Sequence, residues 1–274
     1  MEKVTQGTLI YGVRSNKYHD VVTYGIIISA ACDLAQDKID KVFYLTAIPL
    51  KEWLCSDQGF QVVTANLIKN CKNNILKILE KYGLAWDVFK TLSQEELEKV
   101  VTACGISRND KQNAVAHFLK YQRFSKENMT FQEKIEIYLS EHKTIEGYLG
   151  DLFNGANSHY VFIPQQALSE HASVGMGLVV DLLEVDFYQM QLVKKLADGQ
   201  IDNRVLSESE IAVYDKKFVL CENDGFAYPV GEVEHPWCEY ILQHFSNCFI
   251  RIGVDNPGKK EAKGIVDNLF SKEE

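Results

Sequence analysis

The chain has 274 residues, with 38 acidic against 29 basic side chains and a formal charge of −9. Apolar residues make up 46% and charged ones 24%, which excludes disordered, collagen-like and coiled-coil compositions. The length suits one large domain or two modest ones, and the negative balance argues against a broad nucleic-acid surface, where phosphate contacts dominate affinity.

The first fifty residues read as β structure. Gly7–Arg14, Val21–Ala31 and Lys41–Pro49 are rich in β-branched and aromatic residues, with polar turns between them. Within the second segment, Gly25–Ala31 is apolar throughout except for Ser29, so it is expected to be a central strand covered on both faces. Connections this short suggest an antiparallel meander or a small barrel.

The pattern then changes to helix. Leu67, Ile68, Cys71, Ile75, Ile78, Leu79 and Tyr82 form a helical stripe over Phe60–Tyr82. Ser93–Glu96, Ser107–Asp110 and Thr130–Glu133 each place a hydroxyl three residues before a carboxylate, a helix-start arrangement. Gly83 and Gly105 stand where helices are expected to end. Residues 50–155 thus read as a block of about five or six helices.

β signals return at His159–Pro164, Gly177–Phe187, Ile211–Cys221 and Phe226–Val230, with a short helix expected within Val185–Gly199. Gly175 and Gly177 suggest a turn or bulge. His235–Val254 reads as an amphipathic helix opened by Pro236. The fold expected is α+β: a small antiparallel β-barrel or sheet assembled from both chain ends, with an inserted helical block. Its parts would be residues 1–55 (first β half), 56–155 (helices), 156–254 (second β part and closing helix) and 255–274 (charged tail). Two domains divided near 150–158 are the alternative.

Cys32, Cys55, Cys71, Cys104, Cys221, Cys238 and Cys248 include no C-x-x-C pair. The N-terminus lacks a basic stretch followed by an apolar run, and no apolar run reaches membrane-spanning length. The expectation is a cytoplasmic protein with reduced, mostly buried thiols and no membrane span.

Ser29-Ala-Ala-Cys32-Asp33-Leu34 is the most distinctive local feature, lying where a buried strand runs into a polar turn. Cys32 could act as a nucleophile, with Ser29 and Asp33 orienting a substrate. Alternatively Cys32 packs as a small hydrophobe while Asp33 caps the turn. A Cys32–His235 or Cys32–His244 dyad would need the chain ends to meet. Asp181, Glu184 and Asp186 punctuate an apolar strand and read as a solvated face, with a metal-binding carboxylate cluster as the alternative. No metal-ligand spacing and no phosphate-loop motif occur, so no metal or cofactor is implied.

Residues Gly7 to Leu50 resemble the start of PemK/MazF-type small barrels, Ile26-Ile27-Ile28-Ser29 matching the end of that family's second strand. The resemblance implies that Ser29 is the family's active-site serine. Thr23 and Tyr24 stand where the family has Arg and Pro, so the guanidinium that would stabilise a cleaving phosphate is missing. A second resemblance is to uncharacterised bacterial proteins that combine an S-x-x-C-D-L strand end with a late P-x-x-E-x-x-x-Q-x-F helix. Here that helix runs from Pro236 through Glu239, Gln243, Phe245, Phe249 and Arg251 to Gly253. It implies one structural unit built from both ends, in proteins of mobile or defence-type operons.

These features lead to a non-catalytic regulatory or interaction component of a toxin–antitoxin or phage-defence system, with a protein partner from the same operon. A nuclease or other hydrolase using Ser29, Cys32 and Asp33 with a distant His or Arg251 is the alternative, and a ligand-binding sensor the third. Thiol titration of the denatured, unreduced chain is expected to count all seven cysteines.

Overall fold

The computed structural model describes residues 4–172, 174–198, 209, 210, 214, 216–218 and 227–250. The N-terminal β segments form β1 (Thr8–Val13), β2 (Thr23–Ile27) and β3 (Lys41–Pro49), and a one-turn helix α1 (Ala31–Ala35) lies between β2 and β3. The second strand is shorter than its apolar run, because Ala31-Cys-Asp-Leu-Ala35 coils instead of extending.

Seven helices follow: α2 (Leu50–Cys55), α3 (Asp57–Lys81), α4 (Trp86–Phe89), α5 (Gln94–Ala103), α6 (Arg108–Phe124), α7 (Phe131–Ser140) and α8 (His142–Phe153). The number exceeds the sequence expectation because α2 and α4 are too short to show a periodic stripe. Among the described residues the remaining elements are β4 (Tyr160–Pro164), β5 (Gly177–Gln189), α9 (Met190–Ala197), β6 (Tyr228–Glu232) and α10 (Trp237–Ile250). Of the Ile211–Cys221 segment only four residues are described; Phe218 bridges to Val13. Cys221, Phe226, Arg251 and the charged tail lie outside the described residues.

Among the described residues six strands join one antiparallel sheet in the order β4-β5-β3-β2-β1-β6. The three N-terminal strands therefore lie side by side, flanked by β4 and β5 on one edge and β6 on the other, and both chain ends share one sheet as the two-ended reading requires. The sheet is open; the barrel is not formed. β2 lies between β1 and β3 with every residue buried, which accounts for its unbroken apolarity.

Strand alternation supplies two cores. Leu9, Ile26, Leu45, Ala47, Val161 and Val180 face one way and pack with Ile241 of α10. Ile10, Ile27, Val42, Tyr44 and Tyr188 face the other and pack with Val193 and Leu196 of α9. A third core joins sheet to helices, where Ile48, Tyr160 and Val179 meet Trp53, Phe60, Val63 and Leu67. Burying each such side chain contributes about 1.5–3 kcal/mol.

The helix starts are local. Ser93 with Glu96 and Thr130 with Glu133 complete full capping boxes, while Ser107 accepts only from the Asp110 backbone. Ser56 caps α3 by accepting from the Gly59 amide at 3.0 Å. Gly59 is there because α2 turns back on α3: a Cβ at this position would stand 1.8 Å from the Trp53 carbonyl oxygen.

The expectation of mostly buried thiols is corrected. Of the six described cysteines, only Cys71 and Cys238 are buried; Cys32 and Cys104 are exposed, Cys55 and Cys248 intermediate. Cys32 lies in the one-turn helix α1 and Cys104 at the C-terminal cap of α5.

Two glycine substitutions should move stability in opposite directions. Gly59→Ala is expected to cost about 1–3 kcal/mol by overpacking against backbone. Gly147→Ala, on an exposed turn of α8 with nothing within 4 Å, is expected to stabilise by about 0.5–1 kcal/mol. Urea midpoints of the two variants check both signs.

Candidate functional site

Two polar constellations stand out in the sheet, and only the second is open enough to bind anything. The first is built on a large irregularity in β5. Leu45 pairs with Val185 but Thr46 pairs with Asp181, so Leu182, Leu183 and Glu184 are pushed out of the ladder. Asp181 lies at the base of this bulge, fully buried, and its Oδ1 accepts from the Leu183 amide at 3.0 Å. The solvated-face reading is therefore corrected for Asp181.

Its other oxygen accepts from Lys17 Nζ at 2.5 Å and from the Tyr18 hydroxyl at 2.7 Å. Lys17 also reaches the Tyr160 hydroxyl at 3.2 Å. Ser15 Oγ donates to Glu184 at 3.0 Å and accepts from the Lys17 and Tyr18 amides. The bulge and the β1–β2 loop thus satisfy each other's polar groups. Burial works against the Lys17 charge, but the Asp181 hydrogen bond and charge outweigh it, and its pKa rises above the usual 10.5. Burial, then the Asp181 charge, also pushes the Tyr18 phenol well up. The site is a lock, with no free group to act on a substrate.

The second constellation lies where β3 begins and β5 ends. Strand pairing puts Phe43 opposite Phe187, with ring centroids 6.0 Å apart. Lys41 Nζ sits 4.3 Å and Lys217 Nζ 4.8 Å from the Phe187 ring centre, cation–π distances for both. Lys217 is held by Asp186 at 2.6 Å, and Asp186 also accepts from the Tyr44 hydroxyl at 3.3 Å. Beside Phe187 opens a pocket of about 500 Å³ lined by Leu192, Lys195, Tyr214, Lys216 and Lys217 among others. Lys195 donates to the Tyr214 hydroxyl at 2.6 Å, which with the Tyr214 charge raises its pKa. Phe43 itself is 43% exposed.

Ser29 borders this surface. Its Oγ accepts from the Phe43 amide at 2.8 Å, closing the β2 end onto β3. Cys32 is exposed, and its sulfur lies 3.6 Å from the Asp33 carboxylate. The expected packing of Cys32 as a small hydrophobe is thereby corrected. Neither is Asp33 a cap: α1 starts at Ala30 without any side-chain capping bond. His235 is paired with Glu239, one turn along α10, and His244 packs on Tyr240 at 4.4 Å. Arg251 lies outside the described residues. Lys41 stands two residues from Phe43, whose amide donates to Ser29, whereas Lys17 is committed to Asp181.

Asp181, Glu184 and Asp186 do not gather: their partners are Lys17, Ser15 and Lys217, respectively. Among the described residues no group of three or more His, Cys, Asp or Glu could hold a metal ion.

Phe43, Phe187, Lys195 and Lys217 escaped the sequence reading, although one signal was present. Lys41 and Phe43 occupy the same face of β3 as Leu45, so an aromatic continues an apolar face beyond the core. Comparison finds no match among family models, curated proteins or solved structures. The site stands on its own geometry.

The lock has a testable weight. Asp181→Ala leaves Lys17, the Tyr18 hydroxyl and the Leu183 amide without their acceptor, and removing one partner of a buried pair costs about 3–5 kcal/mol. Lys17 is 29% exposed, so the expected loss lies at the lower end. Because the Lys17 pKa is raised on folding, its contribution is intact below pH 10.5 and fades only as pH climbs through the higher folded value. Denaturant melts of wild type and Asp181→Ala should therefore differ by the same amount at pH 6 and pH 8.

Proposed function

We propose that this protein is a non-catalytic regulatory or interaction component whose recognition surface is the Phe187 pocket, taking an anionic group that carries an aromatic or aliphatic body. The observation that carries this reading is Phe187 held between two lysine ammonium groups, Lys41 and Lys217, at the mouth of a largely apolar pocket. Apolar walls with a few converging polar groups are the usual form of a ligand site. In a chain of net charge −9, lysines gathered at one place supply a local field for a negative partner that the rest of the surface repels.

The use of Ser29 as a structural acceptor for Phe43 favours binding over catalysis, as does a carboxylate rather than a cation beside Cys32. The partner is taken to be a protein from the same operon, in the cytoplasm, within a defence or toxin–antitoxin system; the support is the likeness of both chain ends to proteins of such operons. Among the described residues no helix is long and apolar enough to cross a membrane.

Naphthalene-2-sulfonate is the minimal probe, with naphthalene-2-methanol as its neutral counterpart, titrated into the full chain by calorimetry. The sulfonate is expected to bind more tightly, to weaken with salt, and to lose on the order of threefold to tenfold in Lys195→Ala or Phe187→Leu. Equal affinity for the neutral analogue would overturn the reading. A second arm incubates a long RNA with the chain and resolves it on a gel. No cleavage is expected, whereas metal-free cleavage abolished by Ser29→Ala would put the ribonuclease reading in its place.

A further inference from the structure

The helical block holds a cavity of its own, which shares no lining residue with the Phe187 pocket. It opens between α3, the α6–α7 connection and the start of α7, with a volume of about 460 Å³. Every residue of the two segments that build it, 57–68 and 124–134, is described.

The end of α2 sets its chemistry. Helix C-termini leave carbonyls without a partner inside the helix, and here α7 supplies the partners. The Tyr138 hydroxyl donates to the Leu54 carbonyl and Lys134 Nζ to the Cys55 carbonyl, each at 2.7 Å. This capping draws Lys134 inward, so that its side chain is only 7% exposed. A buried ammonium needs a counter-charge, and Asp57 Oδ1 accepts from it at 2.7 Å.

The α6–α7 connection is fastened at both ends. Phe124 and Met129 are buried in the core that joins sheet and helices, and Lys126 pairs with Glu133 of α7. Between them Asn128 takes a left-handed conformation, φ 52°, which Asn tolerates better than most residues. Together with Phe60 and Ile68 of α3, Phe124 and Met129 give the cavity an apolar lining. Its shape is thus set before any ligand arrives.

The polar groups in it are not used up. An ammonium carries three donors, and Lys134 spends two of them on Cys55 and Asp57. Among the described residues the third has no acceptor, and the Phe60 ring centre lies 5.9 Å from Nζ. Asp57 Oδ2 likewise accepts from no described group, and Asp57 is 51% exposed. A spare donor and a spare acceptor therefore stand side by side, next to an apolar surface.

We propose that this cavity binds a free α-amino acid with a large apolar side chain. The carboxylate of the ligand accepts from Lys134, its ammonium donates to Asp57, and its side chain lies on Phe60, Ile68, Phe124 and Met129. An α-amino acid holds both charges on one carbon, so it meets two groups already in contact. Apolar walls with a few converging polar groups are the usual form of such a site.

The full chain is titrated by calorimetry with L-phenylalanine, N-acetyl-L-phenylalanine and L-alanine. L-Phenylalanine is expected to saturate. Acetylation removes the charged donor to Asp57 and should weaken binding on the order of tenfold. Alanine, which lacks the apolar body, should lose at least as much. Asp57→Asn keeps an oxygen for Lys134 but not the charge, and should also cost on the order of tenfold. Ile68→Ala, at a half-buried position, should cost roughly threefold. No saturable binding of L-phenylalanine, equal affinity for the acetylated form or for alanine, or an unaffected Asp57→Asn would each overturn the proposal. If Asp57→Asn does not fold, Ile68→Ala and the ligand series still decide it. L-Phenylalanine affinity should be unchanged in Lys195→Ala; a loss there would move the ligand to the Phe187 pocket and overturn the assignment to this cavity.

Discussion

A carboxylate with no exposure to water must be met by hydrogen bonds and opposite charge, or it would not stay ionised. Asp181 is met by three groups that would otherwise have no common place: the Lys17 ammonium, the Tyr18 hydroxyl and the Leu183 amide. Lys17 and Asp181 are 164 residues apart, so the bond holds the β1–β2 loop against a strand made after the whole helical block. Tyr18 and Tyr160 belong to the core that joins sheet and helices. The same few atoms therefore set the bulge in β5, the path of the first loop and the seat of the helical block.

That bulge has a further effect on the sheet. By removing three residues from the ladder it lets the remaining stretch of β5 continue along β3 to Gln189, bringing Phe187 opposite Phe43. On the other side of β2, a register shift between Leu9 and Ile10 in the β1–β6 pairing precedes Tyr11, which pairs with both Tyr24 and Tyr228. Irregular pairing next to binding surfaces is a recurring use of bulges.

Much of the fold was legible from residue patterns, and the reasons are physical. Alternation and β-branching marked β1 to β5, the α3 stripe held over its whole length, and the capping residues Ser93, Ser107 and Thr130 each stand at a helix start. Those signals are local. Sheet closure is not, and the open edge at β6 depends on strands that meet only in the folded chain. Asp181 was misread because alternation assumes regular pleating, and a bulge inverts which residues face the core. Cys32 was misread because a one-turn helix with few apolar neighbours gives no period. The Phe187 surface depends on cross-strand register, which no single strand encodes.

The arrangement of β3 also constrains how the chain is made. One edge of β3 is satisfied by β2, its neighbour in the chain, and the other only by β5, which follows all seven helices of the insertion. A polypeptide leaving the ribosome therefore carries an unfinished strand edge throughout synthesis of the helical block, and such edges invite pairing with foreign strands. The helices that follow carry their own serine and threonine caps, so their starts do not depend on that edge. Completion waits for residues 177–189, whose arrival zips the second side of β3 and buries Asp181 in one motion. A truncation just short of β5 would strand the chain in its most adhesive state.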